Sequence, residues 1–416
     1  MAANNIFLDL AKEVLARCDI LAGSSEDPGK ITRTFLCQAM HEVHACLEGW
    51  MRGAGMTVRV DAAGNLIGHY PAAREDAKAF LIGSHLDTVP DAGRYDGVLG
   101  VLAGVAAVQA LGGKRLPFAV EVLGFSEEEG IRFRSSYLGS RAVCGRFDPA
   151  LLDQTDATGV SMAEAFRDFG LDAARLGEAA YSSGKVLGYL ETHIEQGPVL
   201  ENRNLPLGIV RAMVGQSRFR LRFEGKAGHA GTLPMEQRRD ALAAAAEFVL
   251  ETERLARTVA DLRATVGTIA VVPGAPNVVP GSARLTLDLR HPQDAIREDA
   301  TMTLLNNAST IAAQRGVTFH VDHAEHHPAV PTDKRLTNLL DECARAAGYS
   351  PLQMLSGAGH DAAVMAFLAP MTMLFVRSPG GVSHHPDEAV LMPDLSAALE
   401  VMVGFLHRIA DHMEIT

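Results

Sequence analysis

Four short clusters hold side chains that could do chemistry together: GSHLDTV at 83–89, EEEG at 127–130, HIEQG at 193–197 and SHHPDE at 383–388, joined by Asp96 in RYDGVLGV. They offer His, Asp, Glu, His and His, a mix of imidazole and carboxylate donors sufficient for two divalent metal ions sharing one carboxylate. EEEG also leaves a spare glutamate beside such ions, which metal-assisted hydrolysis requires as a general base. About 300 residues separate the first cluster from the last, so only a folded domain can gather them. The residue types imply a dinuclear metal hydrolase.

Each cluster taken alone has a plainer explanation. His85 and Asp87 are two apart, and on a strand residues i and i+2 point the same way. His85 can then take a metal while Asp87 accepts the other ring N–H and fixes the tautomer. Asp96, before Gly97 at the expected start of a helix, either bridges two ions or merely caps that helix. Glu127, Glu128 and Glu129 close an apolar strand, where adjacent carboxylates repel unless a cation sits among them; the alternative is a solvated acidic turn. His193 and Glu195 repeat the i, i+2 spacing, and the loop around Pro386 delivers either His384 or His385. The argument for one centre is that all four clusters fall at expected strand ends.

The elements that must position these clusters are readable too. Over 1–205 the apolar runs AFLIGSHLD, FAVEVLGF and VLGYLETHI each lead into a polar cluster, the pattern of an α/β domain whose ligands bind at the carboxyl ends of its strands. VLGVLAGVAAVQALGG at 98–113 is too short to span a bilayer and is interrupted by Gln109, so it reads as a buried helix. From about 208 the pattern changes: Phe219, Leu221 and Phe223 alternate with arginines, and Leu285, Leu287 and Leu289 with polar residues. That period of two marks strands with one wet face. Strand 217–224, helix 236–256, strands 264–272 and 282–290, helix 293–315 and strand 317–323 give the order βαββαβ of a ferredoxin-like domain. The α/β style returns at 328, so the chain is expected to carry a catalytic domain over 1–207 and 328–416 with an inserted domain over 208–327.

Composition narrows the partners. With 416 residues, 47% of them apolar and 21% charged, the chain can build large cores, and its net charge of −12 argues against nucleic acid or an anionic membrane. The N-terminal stretch reads as an amphipathic helix and not as a signal peptide. Five scattered cysteines without a CxxC favour a reducing compartment, the cytoplasm, over thiolate zinc.

The strings HLDTV, YDGVLG, EEEG with RF two residues on, HIEQGP, GHAGT with RRD, PNVVPG and SGAGHDA resemble the carbamoylase branch of the dimetal aminoacylase and carboxypeptidase family. The resemblance runs over nearly the whole chain in the family's order. That branch includes N-carbamoyl-L-amino acid hydrolases, β-ureidopropionases and allantoate amidohydrolases. It implies a zinc-peptidase-like catalytic domain, an inserted lid and dimerisation domain, and a homodimer. It further implies that His85 and His193 hold one metal, Glu129 and His384 the other, with Asp96 bridging and Glu128 as general base. SHHP stands where relatives have SHNP, which keeps His385 open beside His384. His229 would stabilise the oxyanion, in its own site or a partner subunit's, a role an imidazole can fill. Arg290 would grip the substrate carboxylate in bidentate fashion, helped by Asn277; on residue types alone, Arg290 with Asp288 is equally a surface ion pair. Gln196 would contact the ureido group, Gly357 and Gly359 would offer backbone amides, and His360 with Asp361 would support the site. The reaction implied is hydrolysis of a ureido C–N bond in a small carboxylate substrate. GKITRTFL and EEEG lean towards allantoate; an N-carbamoyl-L-amino acid or β-ureidopropionate is the alternative, and a peptide a more distant one. Manganese, zinc, cobalt and nickel all suit the mixed donors.

Overall fold

In the computed structural model, which describes residues 2–414, the chain forms two compact units: Met1–Arg211 with Thr332–Thr416, and Ala212–Pro331. The first unit is α/β. Its four central strands, Ala119–Phe125, Ala79–His85, Val186–Ile194 and Met371–Val376, lie side by side in that order and run parallel. Their side chains are almost all buried, as near-continuous apolar strands covered on both faces should be. Antiparallel strands extend the sheet at either side, Leu66–Tyr70 beside Ala119–Phe125 and Leu207–Met213 beside Met371–Val376. After Ala79–His85 the chain forms its neighbour on one side and then returns to form Val186–Ile194 on the other. Such a reversal opens a crevice at the carboxyl ends of the strands, and His85, the EEEG loop and His193 all lie there.

The apolar segment after Asp96 forms the helix Val98–Ala110, buried at every residue from Val98 to Val108. It packs on the His85 and His193 strands and is covered by the helices Ala2–Leu21 and Met392–Glu414. Gln109, its polar interruption, donates to Glu13 Oε2 at 3.1 Å. No described helix is long and apolar enough to cross a membrane. Gly100 lets this helix approach the sheet: a Cβ there would stand 2.1 Å from the Thr192 carbonyl oxygen and 2.8 Å from Ser84 Cβ.

The second unit contains strands Gly215–Glu224, Arg263–Val272, Ser282–His291 and Thr318–His327, with helices Ala241–Thr258 and Asp294–Gln314. The four strands are antiparallel, and the first and third in chain order lie at the centre of the sheet. Phe219, Leu221 and Phe223 bury one face together with Leu285, Leu287 and Leu289. Two boundaries differ from the sequence expectation. The first helix begins at Ala241, because the Asp240 side chain caps Leu242 and Ala243 N–H and 235–237 is only a turn after Pro234. The last strand runs on to His327; it is an edge strand whose half-buried His320 and exposed His323, Glu325 and His327 carry no apolar alternation, broken further by a bulge between Val321 and His323.

We expect Gly100→Ala to destabilise the protein by about 3 kcal/mol or more, since the new methyl meets backbone and cannot be accommodated by a rotamer change. The chemical denaturation midpoint measures this.

Candidate metal centre

His85 is the last residue of its strand and is buried; its Nδ1 lies 3.0 Å from the Asp87 carbonyl oxygen. His193 repeats the arrangement, with Nδ1 2.9 Å from the Ile194 carbonyl oxygen. A carbonyl only accepts, so each ring carries its proton on Nδ1 and presents a lone pair at Nε2. Both Nε2 atoms aim at Asp96 Oδ1, at 3.5 Å from His85 and 3.2 Å from His193. Asp96 Oδ1 and His193 Nε2 are buried without a hydrogen-bond partner among the described residues. Three lone pairs converging without a hydrogen need positive charge between them. The protonation tendencies carry the same message: burial lowers the His85 pKa, but Asp87 and Asp96 outweigh it and hold the ring well above its usual range. Asp96, which burial would raise, is held well below its usual value by His193, His384 and His85. A divalent cation supplies that charge without extra protons. The spacing fits, because donors about 2.1 Å from a tetrahedral ion stand about 3.4 Å apart.

A second trio uses the other oxygen of the same carboxylate. His384 Nε2 lies 3.1 Å from Asp96 Oδ2 and 3.3 Å from Glu129 Oε1. These two carboxylates push the His384 pKa up to about 10. His384 adopts a left-handed backbone, φ 55°, a conformation that non-glycine residues enter mainly where the surroundings demand it. The first trio is sealed, while His384 is half-exposed. His385 points elsewhere: it is exposed, and its Nδ1 accepts from the Asp387 N–H at 3.2 Å. Of the two histidines in SHHP, His384 is the one that faces Asp96 and Glu129.

Several neighbours hold these donors in place. Glu388, buried, accepts from the Tyr95 and Asp96 N–H groups at 2.8 and 3.0 Å. Gln196 Nε2 and Ser383 Oγ each donate to Asp96 Oδ2 at 2.9 Å, so Gln196 grips the shared carboxylate. Asp87 keeps its carboxylate beside the His85 ring and serves a second partner as well. The strand ends before it, its carboxylate stands 3.4 Å from His85 Nδ1, and it also accepts from Glu128 and Glu129 N–H at 2.9 and 3.1 Å. The nearer partner of the ring is the Asp87 main chain. Asp96 makes no helix cap. Glu127 is a buried staple across its own loop, accepting from Gly130 and Leu138 N–H, and Glu195 accepts from Val199 and Leu200 N–H. A third trio, Glu191, His193 and His360, is close enough for a metal, but both Glu191 oxygens already accept from Ser84, Tyr189 and Ala362. Glu388 and Ser383 went unassigned in the sequence; their proximity to His384 in SHHPDE was the available signal.

Glu128 stands beside His85 and Glu129, and its carboxylate makes no hydrogen bond among the described residues. Burial, then Glu129, Asp361 and Asp87 acting against the His85 ring, pushes its pKa well above the usual range. Gly359 lies against the Tyr137 hydroxyl, where an added Cβ would be 1.9 Å from that oxygen. His360 Nε2 and Ser356 Oγ are 2.9 Å apart, and Asp361 accepts from Ser140 Oγ.

The remaining expected residues lie in the second unit. His229 is exposed on the two-residue strand Gly228–His229, paired with Val278 next to Asn277, whose carbonyl accepts from Ala230 N–H at 2.9 Å. Arg238 of the RRD string straps this loop through the Ala230 and Leu233 carbonyls. Arg290 stands near the far end of Ser282–His291 and pairs with Asp288.

The model of peptidase family M20/M25/M40 matches residues 81–408. The chain belongs to this family. It is 39% identical over 384 residues to N-carbamoyl-L-amino acid amidohydrolase of Geobacillus stearothermophilus, covering 92% of this chain and 94% of that one. It is 37% identical over 438 residues to allantoate deiminase 1 of Glycine max, covering 96% and 90%. Among solved structures it is similar to an amidase of the hydantoinase/carbamoylase family from Burkholderia multivorans, with a TM-score of 0.89, 31% identity and coverage of 96% and 97%. The M20 family is dinuclear and metal-dependent, and the donors gathered around Asp96 are the candidate metal-binding residues of this member.

Chelator-stripped protein is expected to melt at a lower temperature than protein given manganese or zinc. At about a thousand times the dissociation constant, a single ion adds about 4 kcal/mol. Asp96→Asn should lose most of that gain, because both trios use the same carboxylate; differential scanning fluorimetry with and without metal reads it.

Proposed function

We propose that this M20 enzyme hydrolyses a ureido C–N bond in a small carboxylate substrate, with allantoate first and an N-carbamoyl-L-amino acid or β-ureidopropionate second. The observation that carries this reading is the pairing of two donor trios on Asp96 with an uncommitted glutamate, Glu128, beside them. The relatives named above supply the substrate class, and they support both substrates.

In this reading His85 and His193 hold one ion, Glu129 and His384 the other, and Asp96 bridges them. Zinc or manganese suits the donors, with cobalt or nickel also compatible. When bound, such ions lower the pKa of a water from about 15.7 towards 7 and polarise a carbonyl. Glu128 is the residue that moves protons. Its raised affinity for a proton suits a base that takes one from the attacking water and then hands it to the leaving nitrogen. Ammonia leaves, and the carbamate product decays to carbon dioxide and the amine. Asp87 fixes the Glu128 and Glu129 main chain, so the base and its neighbouring ligand keep their spacing. Gln196 steadies Asp96 from the side that faces Ser383 and His384, and from there its amide contacts the ureido group. Gly359 offers its main chain to the same group.

His229, Asn277 and Arg290 complete the substrate contacts, and their placement supports a homodimer. Val278 pairs with His229 before the strand Ser282–His291 begins, and the eight residue-to-residue steps from Ser282 to Arg290 span about 26 Å of extended strand. One small substrate cannot touch Arg290 at one end and His229 at the other within a single copy. Two copies can each lend one of the pair to a shared site. Five unpaired cysteines suit the cytoplasm.

Glu128→Gln is expected to lower kcat for ammonia release by about 10²–10⁴-fold while metal content stays at that of wild type; near-full turnover would sink the assignment of the base. Mixing His229→Ala with Arg290→Ala subunits, each inactive alone, should restore activity as mixed dimers form. Failure of every mixture would argue against a shared site. Assaying allantoate and N-carbamoyl-L-amino acids in parallel ranks the two substrates.

A further inference from the structure

Tyr137 lies across the loop from Glu128. The EEEG loop leaves the sheet after Phe125 and closes on itself where Tyr137 N–H donates to the Glu128 carbonyl at 3.2 Å. On either side of that bond Glu127 takes the Gly130 and Leu138 N–H groups. Tyr137 holds a left-handed backbone, φ 67° and ψ 28°, just before the helix Leu138–Val143. A bulky residue rarely adopts that conformation, and such positions cluster where function fixes the chain. The ring then runs to Gly359. A Cβ on Gly359 would fall 1.9 Å from the Tyr137 oxygen and 3.2 Å from Cζ, so only glycine leaves room for the hydroxyl.

Burial, followed by the carboxylates of Glu128, Asp361, Glu129 and Glu127, pushes the phenol pKa well above its usual 10. An un-ionised phenol can act only as a hydrogen-bond donor or acceptor. Among the described residues it has no hydrogen-bond partner, although it sits in a field of acceptors. A side chain needed for packing alone would be served by phenylalanine, and Gly359 would then face a less demanding neighbour.

We propose that the Tyr137 hydroxyl is a further catalytic residue, donating a hydrogen bond to the ureido group held against Gly359 as negative charge gathers on its oxygen. This rests on the ureido reading above. Tyr137 keeps its proton and forms no covalent bond; its contribution is a fixed dipole aimed where charge develops.

The test compares metal-loaded wild type with Tyr137→Phe on allantoate and on N-carbamoyl-L-amino acids, following kcat, KM, melting temperature and metal content. The expected result is a fall in kcat of about 10²-fold with KM, melting temperature and metal content near wild type. Replacing Tyr137 with 3-fluorotyrosine, a more acidic donor of nearly the same shape, should shift kcat measurably, which a packing role would not do. Wild-type kcat in the phenylalanine variant overturns the proposal and leaves the ureido reading standing. A loss that only follows a lower melting temperature or lost metal also overturns it. If wild type turns over no ureido carboxylate, the functional reading fails first and this inference with it.

Discussion

The structure of the first unit depends on one buried carboxylate that faces three imidazoles. Placing a charged group in an interior costs several kcal/mol unless partners compensate, and Asp96 is only 4% exposed. Its two oxygens are shared between opposite sides, one towards His85 and His193, the other towards His384. Every feature around it reads as a means of holding that geometry. Gly97 has φ 70°, and a Cβ there would strike the His85 ring at 2.5 Å, so glycine lets Asp96 come close enough to face the imidazole. Glu388 fixes the Asp96 main chain from a segment almost 300 residues further along the sequence. The helix that follows is buried from Val98 to Val108, so the position of Asp96 is tied to the packing of the core.

The same constraint explains why polar residues crowd the sheet ends. Below the metal trios lies a second layer of buried groups: Glu191 with Ser84, Tyr189 and Ala362 N–H, and Asp361 with Ser140. Burial raises the pKa of both Glu191 and Asp361, and the Glu191 carboxylate adds to the rise at Asp361. This layer adjoins a first trio that is itself buried. The second trio is different, because His384 sits on a loop and is half-exposed. One side of the Asp96 cluster is thus buried, and the other is open to solvent.

What was legible in the sequence is what residue type encodes. Apolar runs ending in His or Glu located three of the four parallel strands, and the Phe219–Phe223 and Leu285–Leu289 alternations located the central antiparallel pair. The edge strand Thr318–His327 was underestimated because solvent covers it and its histidines carry no apolar rhythm. At the site, residue types pointed to the donors but not to their supports. The close partners of the His85 and His193 rings are main-chain carbonyls, which any residue could supply, so Asp87 drew attention for its carboxylate when its carbonyl makes the shorter contact. Glu388 acts on main-chain N–H groups of Tyr95 and Asp96, an interaction without a spacing signature. GKITRTFL is a similar case. Its Arg33 is buried and donates to the carbonyls of Leu86, Leu21 and Ser24, bracing the segment after His85. A string that leaned towards one substrate therefore includes a part of the scaffold.

That distinction bears on how substrate choice is made. Relatives named for allantoate and for N-carbamoyl-L-amino acids match this chain at 37% and 39% identity, so whole-chain similarity is nearly indifferent between them. In the proposed reaction the two donor trios would be equally indifferent, since either compound would bring the same kind of ureido carbon to the same water. They differ at the neighbouring carbon, which carries a second ureido group in allantoate and a side chain in the amino acid. A site built to hydrogen-bond a polar group rejects an analogue lacking it far more strongly than an apolar pocket rejects an extra atom. Discrimination therefore belongs to the polar side chains that meet that neighbouring carbon, and residues of the scaffold such as Arg33 can change freely with substrate only if the centre around Asp96 keeps its spacing.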